Sequence, residues 1–239
     1  MRAYSADGDV SRRESSSEHR FHTLVAEHAT AIMRLIIASC SRTTLQQAWQ
    51  EFTFGHGGKF AGDDLNSELF YSWLRHRWFP RRGTRAARSL CGQSPTRAFL
   101  ARASTSVDPL LRRYLNACLA TPCGFHEILD CTPHRSFVAR NVLTETELEV
   151  KDALASVSLR EGDLLYAHIV PLGDAAVLEA IAPFSFPADW KALLLERCAR
   201  RELHEPQESP LRHIYFELCE SWQLNYPCIV AGMAREKAS

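Results

Sequence analysis

The sequence lacks a net charge, a long apolar run and an apolar leader. Its 28 basic and 28 acidic residues cancel, so no whole-molecule field draws it to nucleic acid or to a membrane surface. The longest apolar stretch, 31–40, is interrupted by Arg34 and falls well short of the roughly 20 residues that a membrane-spanning helix needs. Residues 1–20 are polar and include four acids, unlike a signal or transit peptide. We therefore predict a cytoplasmic protein without a membrane partner.

Paired cysteines are also lacking, although the chain has eight cysteines. None of them forms a C-x-x-C or C-x-C pair, and a disulfide scaffold would be shorter, richer in cysteine and preceded by a signal peptide. Cys118, Cys198 and Cys219 fall within apolar helical patterns, where free cysteine behaves as a small hydrophobic residue. We predict no disulfide.

One set of residues has the composition of a zinc site. Two residues separate Cys123 from His126, and two separate Cys131 from His134; both ligand types suit zinc. The residues between the pairs alternate as in a β-strand, which would set the pairs about 26 Å apart. Since zinc–ligand bonds are only about 2.0–2.3 Å long, one ion cannot hold both pairs. We predict no metal site and no cofactor.

The glycine-rich segment Gly55-His56-Gly57-Gly58 matches no catalytic motif in full. A P-loop needs four residues between its glycines and a Ser or Thr after its Lys. An oxyanion loop of the HGG type would be accompanied by a G-x-S-x-G nucleophile, which the sequence lacks. The segment is predicted to be a flexible helix–helix loop. Asp63 and Asp64, which follow it, are typical of helix N-caps.

The periodicity of the apolar residues organises the chain. We predict a disordered leader at 1–18, a helical region at 19–120 with a basic linker at 81–93, a β-domain at 121–186, C-terminal helices at 187–225 and a tail at 226–239. In the helical regions the apolar residues recur with a period near 3.6. Ser94-Pro95 and Asp108-Pro109 each place proline directly after a capping residue, which is typical of a helix start.

Between Thr121 and Ile181 the period changes to two. Alternating or continuous apolar runs predict five strands, at 125–131, 137–143, 145–151, 164–172 and 176–181. The fourth run is apolar at nearly every position, as in a strand that is buried on both faces. The sequence therefore predicts an α+β fold with N-terminal helices, a small five-strand antiparallel meander or barrel, and a C-terminal helical pair.

Strict alternation in the third strand predicts which side chains face water. The charged positions are every second residue, so one face of the strand is wet and the other is dry. Glu145, Glu147 and Glu149 are expected to face solvent. Thr146, Leu148 and Val150 are expected to face inward.

Residues 114–196 resemble a group of uncharacterised bacterial proteins that often carry a zinc-binding SEC-C motif. Residues 125–129 are similar to an aromatic-rich "FYEVLEV" strand of that group, and residues 157–171 look like its "LRPGDLLLARVVP" segment. The upstream helix 64–79, rich in Phe and Trp, is also similar. The SEC-C motif itself needs C-x-C and an adjacent His/Cys pair, both of which are missing here. The resemblance implies a fold and no particular activity.

Charge is distributed unevenly along the chain. Residues 75–113 contain ten arginines and one acid, while residues 144–163 contain six acids and two bases. The arginine guanidinium forms bidentate hydrogen bonds with phosphate or carboxylate and stacks on nucleobases. Aromatic residues lie between these arginines. The block would suit a nucleic acid or a protein partner; the alternatives are pairing with the acidic strand of the same chain and a solvated helix face. The candidate binding residues are Arg75, Arg77, Arg81, Arg82, Arg85, Arg88, Arg112 and Arg113.

These observations favour a binding role over catalysis. The leading hypothesis is a non-enzymatic adaptor or accessory subunit of a bacterial complex, which binds a protein partner. The first alternative is a protein that binds DNA or RNA through the arginine-rich segment 75–113. The second alternative is an enzyme whose site assembles from scattered His and Asp residues. No catalytic residue and no small-molecule cofactor are predicted.

Overall fold

The computed structural model describes the backbone of residues 7–103, 107–173 and 175–225, and the side chains of residues 23–103, 107–173 and 175–222. The predicted tail at 226–239 lies outside the described residues. The chain folds into two compact units. The helical unit comprises residues 1–44 and 73–119, and the barrel unit comprises residues 45–72 and 120–239.

Within the described residues the chain forms eight α-helices, one short 3-10 helix and five β-strands. The helices are α1 (Asp7–Ser39), α2 (Arg42–Phe52), α3 (Ser67–His76), α4 (Arg85–Ser89), α5 (Pro95–Arg102), α6 (Pro109–Ala120), α7 (Trp190–Ala199) and α8 (Glu208–Asn225). The strands are β1 (Gly124–Thr132), β2 (Ser136–Asn141), β3 (Glu147–Val150), β4 (Leu164–Leu172) and β5 (Ala175–Ile181), with the 3-10 helix at Ala155–Val157. This order confirms the predicted α+β class, with helices before and after the β-domain.

In the helical unit, α1 packs against α4 and α5. Ile32 and Ile36, one turn apart on α1, are buried, as are Leu111 and Leu115 on α6. This i, i+4 spacing is that of a stripe facing a core. Helix α5 begins at Pro95 and α6 begins at Pro109, so both predicted proline starts are confirmed.

Two segments of the helical unit contain more helix than the sequence predicts. Helix α1 begins at Asp7, within the predicted leader at 1–18. Lengthening a helix costs far less than nucleating one, and a polar segment can therefore continue a helix whose apolar stripe lies downstream. The predicted linker at 81–93 contains α4, which Thr84 caps by accepting the backbone N–H of Ala87 at 3.1 Å. With five residues, α4 is too short to show the periodicity on which the prediction depends.

In the barrel unit the five strands form a closed barrel in the order β1-β2-β3-β5-β4. The predicted barrel is confirmed, but the prediction that all its pairs are antiparallel is wrong, because β3 and β5 are parallel where Val150 pairs with Ala176. The number of strands explains this. Strand direction cannot alternate all the way around a ring of five, so a closed five-strand barrel needs at least one parallel pair.

The inside of the barrel is filled by alternate residues of its strands. Leu165, Ala167 and Ile169 of β4 belong to the buried cluster that also contains Ile128 of β1 and Val150 of β3. The other face of β4 is buried as well, which confirms that this strand has no wet face.

Helix α8 covers part of the outer surface of the barrel. It contacts β1 and also α7. The ring of Tyr166, on the outer face of β4, stacks on Tyr215 of α8 with the ring centroids 4.6 Å apart. Both tyrosines are buried. The regular spacing of apolar residues along α8 therefore reflects the packing of this helix against the barrel.

The solvent exposure of β3 follows the predicted alternation except at one position. All three glutamates are exposed, Leu148 is half-buried and Val150 is buried. Thr146, predicted to face inward, is exposed. It precedes the first residue of β3, Glu147, and follows Glu145, whose φ is 58°. Thr146 thus lies between the turn at 142–144 and the start of β3, where strand alternation does not yet apply.

No single helix among the described residues is long and apolar enough to span a membrane. The consecutive helical segments Thr23–Ser39 and Arg42–Phe52 meet the length and composition limits only when they are taken together.

Candidate functional site

The residues of the predicted zinc alternative are distributed along β1. Cys123 immediately precedes the strand, Cys131 lies near its end, and the strand is formed as predicted. His126 is buried, and burial lowers the pKa of its imidazole to about 4. His134 is exposed in the turn that follows the strand. The eight residues from Cys123 to Cys131 extend over roughly 26 Å, so the two Cys/His pairs lie too far apart to share an ion.

All eight predicted arginines belong to the helical unit, and most are at its surface. The exposed ones are Arg81, Arg82, Arg85, Arg88 and Arg113, and the half-buried ones are Arg75, Arg77 and Arg112. The exposed group is concentrated at α4 and in the residues immediately before it. The large apolar ring of Phe79, beside this group in sequence, is 53% exposed.

Some of these arginines already bind backbone carbonyls. Arg85 donates from Nη2 to the carbonyl of Ala38 at 3.3 Å, and Arg88 donates from Nη1 to that of Gly83 at 3.2 Å. Carbonyl oxygens orient a guanidinium without neutralising it, so both side chains keep their charge. In Arg77, Nε and Nη2 are closed to solvent and have no hydrogen-bond partner among the described residues.

The acidic strand has a basic neighbour within its own barrel. Glu147 of β3 pairs in register with Arg140 of β2. The pKa of Arg140 is raised, first by its hydrogen bond to Glu127 and then by the nearby carboxylates of Glu145 and Glu147. Cross-strand contact of opposite charges is the sheet equivalent of a helical ion pair. The acidic face is therefore balanced at least in part by β2.

A second candidate site lies where β5 continues beyond β3. Strand β4 pairs with β5 along its whole length, from Ala175 to Ile181. Strand β3 ends at Val150, and among the described residues its pairing with β5 consists of Val150 with Ala176. The rest of β5 extends past β3. A strand side that passes the end of its neighbour is a template on which another chain can pair.

A groove of about 610 Å³ lies along this part of β5. Residues 178–183 form one wall, and residues 152–158, which include the 3-10 helix, form much of the other. Leu65, Ser67 and Glu68 complete the lining. All of these residues belong to the barrel unit.

The groove carries exposed apolar side chains. Leu154 is 86% exposed, the largest exposed fraction among the large apolar side chains of the described residues, and Val157 is 51% exposed. The loop that holds them is fixed by Asp152, whose Oδ1 accepts the backbone N–H groups of Leu154 at 3.0 Å and of Ala155 at 2.8 Å. Asp152 therefore forms an Asx-type turn that leads into the 3-10 helix. The apolar groups are thus held in place while facing solvent, as in a binding surface.

The edge of the groove is acidic. Glu68, at the first turn of α3, is exposed, and Asp152 is half-buried. No Lys or Arg is among the lining residues. A ligand in this groove would therefore contact the apolar side chains of Leu154 and Val157 and lie close to the carboxylates of Glu68 and Asp152.

The sequence did not point to this groove. Leu154 and Val157 stand three residues apart in a polar segment between two predicted strands, and that spacing is the signal that was available. These two side chains line a groove because β3 ends before β5 does, and the position of that end is visible only in the folded barrel. The resemblance of residues 114–196 to the SEC-C-associated group stays a prediction. No protein-family model, curated protein or solved structure matches this chain.

Proposed function

We propose that this protein is a non-enzymatic cytoplasmic adaptor whose barrel unit binds an extended segment of a partner protein along β5. The observation that carries the proposal is the continuation of β5 past the end of β3, directly beside the exposed Leu154. A peptide that adds a strand to a sheet edge gains affinity from main-chain hydrogen bonds and specificity from pockets for alternate side chains. The part of β5 that extends past β3 and the exposed side chains of Leu154 and Val157 would supply these two elements.

The chemistry of the groove defines the peptide. Its backbone would pair with β5 from Val177 to Ile181, a run of five residues that is roughly 16 Å long. Its side chains on one face would cover Leu154 and Val157, and a basic side chain would lie near Glu68. An interface of this size is small, so we expect a transient complex with a Kd of about 10 μM.

Burial makes four of the cysteines poor nucleophiles. Burial raises the pKa of the Cys40 thiol to about 11 and that of the Cys219 thiol to about 12. The reactive form of cysteine is the thiolate, so these two thiols stay protonated at neutral pH. The thiols of Cys131 and Cys198 also have raised pKa values because of burial.

A selection of random 12-residue peptides on the immobilised full-length protein tests the proposal. We expect the enriched peptides to alternate apolar and polar residues and to include Lys or Arg. Synthetic copies should bind in solution, and Leu154→Asp should weaken them at least tenfold. Amide resonances of β5 should shift when the peptide is added.

Leu195→Asp is the matched control, because Leu195 is 40% exposed on α7 and does not line the groove. It should leave the peptide affinity within twofold of that of the unmodified protein. Peptides that bind the Leu154→Asp variant as tightly as the unmodified protein would contradict the proposal, as would bound peptides that leave the amide resonances of β5 unchanged.

Nucleic-acid binding by the helical unit is the second candidate. It is favoured by the exposure of Phe79 next to Arg81 and Arg82, which are also exposed. An aromatic ring with flanking arginines offers stacking and phosphate contacts together, as in surfaces that bind single-stranded nucleic acid.

A further inference from the structure

The glycine-rich segment, predicted to be a flexible loop, is held in place and forms the wall of a cavity. Gln50 donates from Nε2 to the carbonyl of Gly57 at 2.8 Å and to that of Gly58 at 3.0 Å. Gln46 donates to the same Gly58 carbonyl at 3.3 Å. The cavity has a volume of about 310 Å³ and lies entirely within the barrel unit. This volume is at the lower end of the range for small-molecule sites.

A buried hydrogen-bond donor without a partner lies at this cavity. Trp49 lines it and is 3% exposed, and its Nε1 has no hydrogen-bond partner among the described residues. A Cβ placed on Gly57 would come within 2.5 Å of this Nε1 and 2.8 Å of the Thr53 hydroxyl. Position 57 is therefore packed directly against the indole N–H, where only glycine fits. Such an unmade buried hydrogen bond is costly, and an acceptor on a ligand would remove the cost.

The polar groups around the cavity are acidic. Glu220 contacts His56, its carboxylate oxygen lying 2.5 Å from Nδ1. Asp64 also lines the cavity and accepts the backbone N–H of Ala61 at 3.1 Å. No Lys or Arg lines it. Of the two carboxylates, Glu220 is paired with His56, whereas Asp64 is left to repel phosphates and to accept hydrogen bonds from amino groups.

The remaining walls are flat rings and one amide. Phe216 lines the cavity, and the imidazole of His56 is nearly parallel to its ring, with 7° between the planes. The Asn66 Oδ1 accepts the Tyr215 hydroxyl at 2.6 Å, which leaves the two Nδ2 hydrogens of Asn66 for another acceptor. The site thus combines aromatic faces, donors that need acceptors, and carboxylates that need donors.

We propose that this cavity binds a free nucleobase or nucleoside that carries an exocyclic amino group. The amino group donates to the carboxylate of Asp64 or Glu220, as amino groups of bases do to acidic side chains. The adjacent ring nitrogen or carbonyl accepts from the Trp49 indole and the Asn66 amide. The ring lies against Phe216. Gly57 lies against the indole nitrogen in the free protein, so this hydrogen bond requires the loop to shift and to give up its hydrogen bonds to Gln46 and Gln50.

The charge of the cavity restricts the ligand further. A nucleotide would bring its phosphate close to two carboxylates, of which only Glu220 is paired with a basic group, His56. A nucleoside avoids this repulsion. Apart from Leu65, which lines both, the residues of this cavity differ from those of the groove along β5, and the two proposals stand or fall separately.

Isothermal titration of the full-length protein with adenosine, cytidine, guanosine and uridine tests the proposal, with the corresponding 5′-monophosphates as comparison ligands. At least one of the three amino-bearing nucleosides should bind saturably, and its monophosphate should bind at least tenfold more weakly. Trp49→Phe keeps an aromatic ring and removes the N–H, so it should weaken the nucleoside about tenfold. Asp64→Asn removes one carboxylate charge from the half-buried rim and should also weaken it.

Trp190→Phe is the matched control, since Trp190 is in the barrel unit and does not line the cavity. It should leave the affinity within twofold of that of the unmodified protein. Circular dichroism confirms that each variant is folded. Absence of binding by all three amino-bearing nucleosides overturns the proposal. Equal binding of nucleoside and monophosphate, or unchanged affinity in both Trp49→Phe and Asp64→Asn, overturns it too.

Discussion

Arg212 donates a hydrogen bond from Nη1 to the carboxylate of Glu208, one turn earlier on α8, at 3.3 Å. Only 6% of the Arg212 side chain and 16% of the Glu208 side chain are exposed. Glu208 also accepts the backbone N–H of Cys123 at 2.9 Å, and Arg212 donates from Nε to the carbonyl of Phe52 at 2.9 Å. The pair therefore joins α8, the start of β1 and the end of α2 within the barrel unit.

Removing the acid of this pair should be strongly destabilising. Glu208→Ala removes a mostly buried carboxylate that accepts from both Arg212 and the Cys123 N–H, so the free energy of unfolding should fall by about 2 kcal/mol. Urea unfolding followed by circular dichroism measures the change. Glu196→Ala is the control, because Glu196 and Arg200 form an i, i+4 pair that is largely exposed and is worth about 0.5 kcal/mol or less. Equal losses in the two variants would show that burial of the pair is not what matters.

The exposure of Leu154 makes a separate prediction about stability. Because its side chain is in water, Leu154→Ala should change the free energy of unfolding by less than about 0.5 kcal/mol. Ile128 is fully buried in the barrel cluster, so Ile128→Ala should cost about 3 kcal/mol. The same urea measurement tests both. A loss above about 2 kcal/mol for Leu154→Ala would mean that this side chain belongs to the core and is not available to a partner.

His126 should make the protein less stable in mild acid. Burial lowers the pKa of its imidazole from 6.5 to about 4 in the folded protein, so between these values the unfolded chain takes up a proton that the folded protein does not. Stability therefore falls as the pH decreases through this window, by about 2 kcal/mol between pH 7 and pH 5. His126→Gln should remove that part of the pH dependence.

Urea unfolding at pH 7 and pH 5 measures this effect as the difference between the variant and the unmodified protein. His204→Gln serves as the control, since His204 is exposed and its replacement should preserve the pH dependence. If His126→Gln loses as much stability between pH 7 and pH 5 as the unmodified protein does, the histidine is not buried as a neutral group.

The sequence predicted the elements whose apolar period is strong and long enough to read. Strand β4 is apolar at almost every position and is buried on both faces as expected. Pro95 and Pro109 start their helices as expected. The helical segments that were not predicted are those without such a signal, namely the polar residues 7–18 and the five-residue α4. The parallel pairing of β3 with β5 follows from the closure of the ring, which is a global property of the barrel and has no local pattern.

The candidate sites were less accessible to sequence reasoning. The arginine block was visible because charge can be counted along the chain. The groove along β5 depends on where β3 stops, and the cavity beside Trp49 depends on the contact of α2 residues with Gly57 and on α8, which is far away in sequence. The signal at Gly57 was present, but a glycine that leaves room for a buried side chain is indistinguishable in sequence from one that permits a turn.

The arginines around α4 separate the two candidate binding functions. If Arg81, Arg82 and Arg85 contact phosphates, the affinity for nucleic acid should fall steeply as salt is raised, with a log–log slope of about −0.9 per contact on duplex DNA and −0.7 on a single strand. Replacing all three by Ala should then flatten the slope by roughly 2 to 3 units on a duplex and weaken binding similarly for all sequences. Fluorescence titration with single- and double-stranded DNA and RNA at two salt concentrations measures the slopes.

A second triple variant controls for the change in net charge. It replaces three exposed arginines of the barrel unit by Ala, namely Arg135, Arg160 and Arg200. If the segment around α4 is the contact surface, this variant should retain the slope of the unmodified protein. Equal flattening in both triple variants would indicate a diffuse charge effect without a defined site. Absence of binding to any of the four nucleic acids at about 50 mM salt would exclude phosphate contacts by these arginines, because a surface that neutralises several phosphates binds measurably under such conditions.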